Sequence, residues 1–200
     1  MTEHYFSQKP QSKSSPKQWN YRLRGKNYIF TSDVGVFSKN EVDFGSKLLI
    51  ETFSQPEIPG EVLDLGCGYG PIGISIADFL EDRTIVMADV NERALELAEV
   101  NAKQNSISNV QFVQSDQYSN LQNHKFASIL TNPPIRAGKK VVHGMLEGSK
   151  AALHKGGEIW VVIQKKQGAP SAIQRLESLF GNCETVTRSK GYYILRSIND

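Results

Sequence analysis

The stretch from residue 62 to residue 71 places the tightest constraint on the fold of this chain. It reads Val62, Leu63, Asp64, Leu65, Gly66, Cys67, Gly68, Tyr69 and Gly70, followed by Pro71. The aliphatic residues form a short apolar run, which is typical of a central parallel strand buried on both faces. The alternating glycines allow a sharp turn and the close approach of a ligand, and the proline is favourable at a first helical position. The stretch therefore predicts a buried strand, a ligand-binding turn and a helix.

Two kinds of ligand fit such a turn, and one acidic residue separates them. Residues 68–73 match the G-x-G-x-x-G pattern of dinucleotide-binding turns, which is weakly specific alone. Asp64 stands two places before Gly66, and a carboxylate there repels a pyrophosphate but attracts an ammonium and a sulfonium group. The pattern D-x-G-x-G-x-G resembles the first motif of class I methyltransferases. We therefore expect the turn to bind S-adenosylmethionine rather than NAD.

Composition limits the classes to which the protein can belong. The chain has 200 residues with 39% hydrophobic content, which fits one domain around one core. A net charge of +2 is too small to indicate nucleic-acid binding by itself. The two cysteines are far apart and the histidines show no ligand spacing, which predicts a reduced, cytoplasmic protein without a metal site. No apolar run is long enough to span a membrane.

The order of patterns along the chain predicts an α/β fold. Residues 1–17 contain almost nothing to bury, so we expect a disordered polar tail, followed by a single domain at residues 18–200. Residues 19–30 alternate apolar and polar side chains around a glycine and predict a β-hairpin. Apolar strands then alternate with helical patterns, which predicts a Rossmann-like, mostly parallel sheet with helices on both faces. A turn at residues 189–191 predicts a closing hairpin and an antiparallel edge.

Some polar and glycine residues predict where elements begin. Asp43 and Asn91 each precede a helical pattern and are candidate N-caps, because their side chains can accept from unpaired backbone N–H groups. Gly156 and Gly157 are expected to turn the chain into a strand that starts at Glu158.

Three acidic residues are predicted to meet at one edge of the sheet. Asp64, Asp89 and Asp116 each end or follow an apolar strand, and ligands of open α/β sheets bind at the carboxyl ends of strands. Asp89 lies 19 positions beyond Gly70, and its carboxylate suits two neighbouring ribose hydroxyls. Asp116 suits an adenine amino group. Together with the glycine turn, these residues predict a nucleoside pocket.

The fourth strand runs into a second specific motif, Asn132, Pro133, Pro134 and Ile135. Two prolines fix the backbone and remove its N–H donors, so the segment presents acceptor oxygens in a rigid form. The Asn132 side chain adds another acceptor. Acceptors without competing donors suit a planar exocyclic NH₂ group, so we expect catalysis by positioning, with little need for a strong base.

Basic residues follow this motif directly. Arg136, Lys139 and Lys140 come next, and Lys165 and Lys166 follow the fifth strand at the same edge of the sheet. Cations at a helix start oppose the helix dipole, so phosphate binding explains Lys139 and Lys140 better than helix stability does. Solvated surface lysines are the alternative. We expect the first three residues to contact the phosphates of a nucleic acid.

The motifs together resemble a narrower family. The segments that carry the resemblance are residues 30–38, 43–46, 88–94 and 132–135. They are similar to the catalytic domain of the small-subunit ribosomal RNA guanine-N2 methyltransferases of the RsmC type. The resemblance implies a seven-stranded sheet in the order 3-2-1-4-5-7-6 with strand 7 antiparallel. It also implies S-adenosylmethionine as donor and the N2 amine of a guanine in ribosomal RNA, or in the small ribosomal subunit, as acceptor.

The resemblance also implies roles for individual residues. Many members of this family are longer, with an extra N-terminal domain, and place an aromatic residue where this chain has Ile135. Phe30 or Phe37 is therefore the expected ring that stacks on the target base. The implied cofactor-binding residues are Asp64, Gly66, Cys67, Gly68, Gly70, Asp89, Val90, Asp116, Gln117 and Asn132.

Three other functions stay open on the sequence. One is a methyltransferase with the same Asn-Pro-Pro motif that acts on adenine N6 in nucleic acid or on a protein glutamine amide, and the segment at residues 35–38 argues against both. A nucleoside- or RNA-binding module without catalysis is disfavoured because Asp64 and Asn132 are both present. A dehydrogenase is disfavoured by Asp64 and leaves the Asn-Pro-Pro motif unexplained.

Overall fold

The glycine turn lies at the centre of a seven-stranded sheet. The computed structural model describes residues 13–36 and 41–200. Its strands are β1 (Lys17–Leu23), β2 (Lys26–Ser32), β3 (Glu61–Leu65), β4 (Ile85–Asp89), β5 (Val110–Gln114), β6 (Phe126–Thr131), β7 (Leu153–Gln164), β8 (Glu184–Ser189) and β9 (Tyr192–Asn199). Its α-helices are α1 (Phe44–Thr52), α2 (Pro71–Phe79), α3 (Glu92–Gln104), α4 (Lys139–Ala152) and α5 (Ala169–Phe180).

Strand order and direction match the implied fold. The large sheet has the order β5-β4-β3-β6-β7-β9-β8. Strands β3 to β7 run parallel, whereas β9 is antiparallel to β7 and β8. Numbered along the chain from β3, this order is 3-2-1-4-5-7-6. The predicted fold class is confirmed, and the topology places the ends of β3, β4, β5 and β6 at one edge.

Two apolar layers cover the sheet. Helices α1, α2 and α3, with the β1–β2 hairpin, pack on one face, and α4 and α5 pack on the other. Successive residues of β3 point to opposite faces, so Val62 joins the first layer and Leu63 joins the second. No described helix combines the length and apolar character needed to cross a membrane.

The hairpin is fixed to the rest of the domain by α3. The amides of Ile29 and Thr31 donate to the side-chain oxygens of Asn105 and Asn101, at 2.9 and 2.7 Å. These bonds satisfy the outer edge of β2, which would otherwise be an unpaired strand edge.

The attached part of the chain starts earlier than predicted. Ser14 Oγ and the Ser15 amide donate to the Asp33 carboxylate at 2.7 and 2.6 Å. Although burial opposes the shift, these hydrogen bonds hold the pKa of Asp33 below its usual range. Residues 14–17 therefore contact the domain, and residues 1–12 of the predicted tail lie outside the described residues.

Both predicted N-caps are confirmed, and one boundary is corrected. The Asp43 side chain accepts from the Ser46 amide, and the Asn91 side chain accepts from the Ala94 amide. Strand β7 begins at Leu153 rather than at residue 158. Its register with β6 shifts between Phe126 and residue 128, because the glycine pair forms an irregularity inside the strand instead of ending a loop.

Candidate active site

The glycine turn forms the floor of the site. Gly66, Gly68 and Gly70 have φ values of 77°, 57° and 100°, a region that side chains with a Cβ rarely adopt. The first two line the main cavity, whereas Gly70 faces the core. A Cβ atom on Gly70 would lie 2.8 Å from Cε of Met87. The third glycine is therefore needed for the packing of α2 on β4 and is not a cofactor contact in this structure.

Asp64 supports the turn from below. The side chain is 1% exposed and does not line the cavity, contrary to the predicted contact with the cofactor. Its Oδ2 accepts from the Gly73 amide at 2.8 Å, which fixes the start of α2. No described residue bonds to its buried Oδ1. Burial raises the pKa of Asp64 to about 7, the Gly73 amide lowers it, and the charge of Asp89 raises it.

Asp89 connects the glycine turn to the end of β4. One carboxylate oxygen accepts from the Gly68 amide and the other from the Asn91 amide, both at 2.8 Å. Burial raises the pKa of Asp89, and these amide bonds oppose that rise. The Val90 amide also bonds to this carboxylate. The side chain lines the cavity, and an ionised carboxylate has about four acceptor positions in total. The carboxylate therefore keeps acceptor capacity towards the cavity, and ribose binding by Asp89 stays a prediction.

The end of β5 is packed tightly against α4. The Gln117 side chain occupies the space that a Cβ would take at Gly144, and the Tyr118 ring does the same at Gly148. Tyr118 donates its hydroxyl to the Met145 carbonyl at 2.8 Å, and burial raises the pKa of that hydroxyl. The two helical glycines thus bring β5 and α4 together and close one side of the cavity.

Asn132 is held in one orientation at the end of β6. Its side-chain nitrogen donates to Oδ1 and Oδ2 of Asp43 at 3.2 and 3.3 Å, and to Ser46 Oγ at 3.0 Å. The opposite assignment would set an amide oxygen against the carboxylate, which has no proton to donate. The hydrogen bonds therefore identify the NH₂ group and leave the amide oxygen of Asn132 as an acceptor, which no described residue occupies.

These elements enclose a cavity of about 690 Å³, within the range of roughly 300–1,000 Å³ for small-molecule sites. It brings together most of the predicted site residues. They are Gly66, Cys67, Gly68, Asp89, Val90, Asp116, Gln117, Asn132, Pro133, Pro134, Ile135 and Arg136.

The Cys67 thiol in this cavity stays neutral. Burial is the main reason why its pKa is raised, and the charges of Asp89 and Asp64 raise it further.

Other predicted residues lie elsewhere. Phe30 is fully buried, with its ring 5.8 Å from that of Tyr69, so it is not available to stack on a base, contrary to the prediction. Phe37 lies outside the described residues. Lys139 lines a smaller neighbouring cavity of about 240 Å³, and Lys140 lines neither of the two.

The structure also adds residues that the sequence argument missed. Asp43, Ser46, Gln167 and Tyr192 line the main cavity. Asp43 was predicted only as a helix cap, and Tyr192 only as part of a closing hairpin. The sequence signal that could have indicated Asp43 and Ser46 was the Asp-Phe-Gly-Ser pattern at residues 43–46. This pattern contributed to the family resemblance, but no role in the site was predicted for it.

Exposed cations lie on the chain segments next to the cavity, and Arg136 lines the cavity itself. Arg136, Lys139, Lys140, Lys165 and Lys166 are exposed. No ion pair joins any of them to an acidic residue in the described part of the chain. The same described residues contain no cluster of three or more His, Cys, Asp or Glu that could hold a metal ion. The site therefore combines an acceptor-lined cavity with an unneutralised basic rim.

A family model for the methyltransferase small domain matches residues 27–196. The chain belongs to that family. Its fold is that of the class I S-adenosylmethionine-dependent methyltransferases, as the first motif indicated. The predicted cofactor, S-adenosylmethionine, agrees with this membership.

The chain is similar to proteins with and without an assigned activity. It is 60% identical to "uncharacterized protein YbxB" of Bacillus subtilis (strain 168) over 198 residues, which cover 98% of both chains. It is 33% identical over 184 residues to the ribosomal RNA small subunit methyltransferase C of Actinobacillus pleuropneumoniae serotype 3 (strain JL03), covering 89% of this chain and 54% of that protein.

A solved structure shares the fold over almost the whole chain. It is the T. thermophilus 16S rRNA N2 methyltransferase RsmC in complex with AdoMet and guanosine, with a TM-score of 0.84 and 26% identity. The match covers 96% of this chain and 52% of that chain. This chain therefore spans about half the length of the two ribosomal RNA methyltransferases.

Proposed function

We propose that the protein transfers a methyl group from S-adenosylmethionine to the exocyclic N2 amine of a guanine in small-subunit ribosomal RNA, in the cytoplasm. The observation that carries the proposal is the orientation of Asn132, whose amide oxygen is an acceptor next to the rigid Pro133–Pro134 backbone. The names of the longer relatives support the choice of guanine N2 and of ribosomal RNA.

The residues in and beneath the cavity match the chemical groups of the cofactor. The Asp89 carboxylate suits the ribose hydroxyls, and Val90 beside it offers an apolar surface. Asp64 places a buried carboxyl with an unpaired oxygen beneath the turn, and the ionised form of this group favours a cation in the cavity above it. When bound, S-adenosylmethionine supplies a methyl group whose carbon–sulfur bond breaks, with its electron pair staying on sulfur, as the amine nitrogen bonds to carbon and its surplus proton passes to water.

The Asn-Pro-Pro motif positions the acceptor. The amide oxygen of Asn132 accepts one hydrogen of the guanine amine and the carbonyl of Pro133 accepts the other. This arrangement turns the nitrogen lone pair towards the methyl group. The N2 nitrogen is conjugated with its ring and is a poor nucleophile, so holding it in a reactive geometry lowers the barrier without a strong base.

The basic rim supports a nucleic acid as substrate. Arg136, Lys139 and Lys140 follow the motif within eight residues of Asn132 and have no acidic partner in the described residues. A phosphate backbone is the polyanion that such a rim favours. A protein glutamine amide would leave this charge without a role.

Mass mapping of modified nucleosides tests the proposal. Small-subunit ribosomal RNA from cells without the protein should lack one N2-methylguanosine that is present in cells with it. Purified protein with labelled S-adenosylmethionine should restore that mark on RNA or small subunits from the deficient cells. Appearance of N6-methyladenosine or of a methylated glutamine instead would support the rival substrates. Cofactor binding without any methyl transfer would support a binding module.

A further inference from the structure

Tyr192 presents an aromatic ring to the cavity from an unexpected element. Among the described residues, the aromatic rings that line the cavity are those of Tyr69 and Tyr192. Tyr69 is 2% exposed, and its ring packs edge-on against Trp19 and Phe30. Tyr192, at the start of β9, is only partly buried. It is therefore the ring that a ligand in the cavity can reach.

The start of α1 joins this ring to the catalytic motif. Asp43 and Ser46 hold the NH₂ group of Asn132. The two residues between them contact Tyr192: the Phe44 ring lies 5.6 Å from it, and Gly45 packs against its edge. One turn of backbone thus sets the positions of both the amide acceptor and the ring.

Gly45 is required by this arrangement. A Cβ atom at that position would lie 2.8 Å from Cε1 and 2.9 Å from Cδ1 of Tyr192. Such distances do not occur between real Cβ atoms and their neighbours, so any larger residue has to displace the ring. Lys190 also lies over the Phe44 ring, with its Nζ 4.6 Å from the centroid. The turn before β9 is thereby fixed to α1 from two sides.

We propose that Tyr192 is the aromatic wall against which the target base stacks, and that Gly45 preserves the space for its ring. This inference rests on the proposed function. A planar base needs an apolar surface beside its hydrogen-bonding edge, and stacking on an aromatic side chain is the usual way in which proteins hold an unpaired base. Ile135 offers no ring, and Phe30 is enclosed in the core.

Steady-state methylation of RNA by purified variants tests the inference. Tyr192→Leu should raise the KM for RNA roughly 5- to 150-fold, the scale of one lost base–aromatic contact. Tyr192→Phe should stay within about threefold of the wild-type protein, because the ring remains. The affinity for S-adenosylmethionine should be unchanged in both, since the Gly68 and Asp89 end of the cavity is untouched. Thermal unfolding checks that each variant is folded.

Tyr193→Leu is the matched control. Tyr193 is the next residue of β9, packs with the opposite layer, and has Arg188 over its ring at 4.6 Å. Its replacement should leave the KM for RNA unchanged. Gly45→Ala gives a second variant. It should raise the KM by displacing the ring, and its Cβ, 3.1 Å from Asp43 Oδ1, should also lower kcat through Asn132. Combining it with Tyr192→Leu should add little further effect on the KM.

The outcomes separate this inference from the proposed function. If the wild-type protein methylates RNA but Tyr192→Leu has a normal KM, the stacking role is wrong while the function stands. The same conclusion follows if Phe37→Leu raises the KM and Tyr192→Leu does not. If the wild-type protein methylates no RNA, the proposed function fails, and the inference fails with it.

Discussion

Asn132 can act on an amine only while its own amide is kept from rotating. Two acceptors, the Asp43 carboxylate and Ser46 Oγ, hold the NH₂ group. The same carboxylate accepts from the Ser46 amide as the N-cap of α1. Formation of the helix and orientation of the acceptor are thus coupled through one side chain. Replacing Asp43 would disturb both, whereas Ser46 offers a more selective way to test the orientation.

Asn132→Ala should lower turnover roughly 100-fold or more, the scale of lost positioning, while the affinity for S-adenosylmethionine changes only a few-fold. The loss appears in kcat because the amide contact matters most as the new bond forms. Ser46→Ala should show a smaller loss of kcat, since Asp43 still holds the amide. Single-turnover kinetics measures both. Near-normal turnover of Asn132→Ala would show that the Asn-Pro-Pro motif only ends a strand and has no catalytic role.

Asp64 should make folding stability depend on pH. Burial is the main reason why its pKa rises from an ordinary value of 3.8 to about 7. The folded protein therefore binds this proton more tightly than the unfolded chain does. Its contribution to stability is present at low pH and is lost as the pH rises from about 4 to about 7, with a slope approaching ~1.4 kcal/mol per pH unit.

Asp64→Asn should remove this slope and keep an oxygen for the Gly73 amide. Urea unfolding at several pH values between 5 and 8 measures the free energy of unfolding of both proteins. The difference between them should change with pH, with the wild-type protein losing more stability as the pH rises. Parallel curves would show that the carboxyl is already ionised across this range.

At the scale of elements, the hairpin stabilises α1 through Arg24. The alternating pattern of the hairpin would leave Arg24, a polar position, on a solvated face. Its guanidinium instead donates to the carbonyls of Ile50 and Phe53 at 2.7 and 3.0 Å and stacks over the Phe79 ring. Carbonyls at a helix end have no partner within the helix, so this cation completes the end of α1.

Arg24→Ala should therefore lower the free energy of unfolding by about 1.5–3 kcal/mol, the range for hydrogen bonds to a charged group. Arg22→Ala is the matched control, because Arg22 is exposed on the same hairpin and should change stability by less than about 0.5 kcal/mol. Urea denaturation measures both. Equal stability of the two variants would contradict a capping role for Arg24.

Elements were predictable from the sequence wherever one local rule decided them. The apolar run at β3, the caps at Asp43 and Asn91, and the alternation of strands and helices each follow from short-range patterns. The order of strands came from the resemblance to a family, since no local pattern specifies it. The start of β7 was misplaced because a glycine pair reads as a turn, although the sheet absorbs it as an irregularity.

The site was predictable in part for the same reason. Residues at strand ends, such as Asp89 and Asn132, could be placed because parallel strands end at one edge. Tyr192 could not be placed in the site from the sequence, since its position beside the cavity depends on the antiparallel pairing of β9 with β7. Phe30 could not be excluded as a stacking ring, because its burial depends on how the hairpin packs against the sheet.

At the scale of the whole molecule, the position of the basic residues along the strand direction matters more than the net charge. Arg136, Lys139 and Lys140 lie at the carboxyl edge of the sheet beside the cavity. Lys125 and Lys155 lie at the amino ends of β6 and β7, the opposite edge. A net charge of +2 conceals this difference. If the proposed function is right, only the first group should contribute to RNA binding.

Replacing Arg136, Lys139 and Lys140 together with Ala should weaken RNA binding and reduce the steepness of its salt dependence. Each lost phosphate contact lowers the magnitude of the slope of log K against log salt by roughly 0.7–0.9, so three contacts lower it by about 2–3. The affinity for S-adenosylmethionine should stay the same, because the glycine turn and Asp89 are unchanged.

The matched control replaces Lys125 and Lys155, together with Lys103 in the last turn of α3, with Ala, which removes an equal number of positive charges away from the cavity edge. Long-range attraction falls similarly in both variants, but direct phosphate contacts are lost only at the cavity edge. Fluorescence anisotropy with labelled ribosomal RNA fragments at several salt concentrations gives both slopes. The control should keep the wild-type slope. Identical slopes for the two triple variants would show that Arg136, Lys139 and Lys140 are ordinary surface charges without direct phosphate contacts. Substrate binding would then depend on the contacts of Tyr192 and Asn132 with the base.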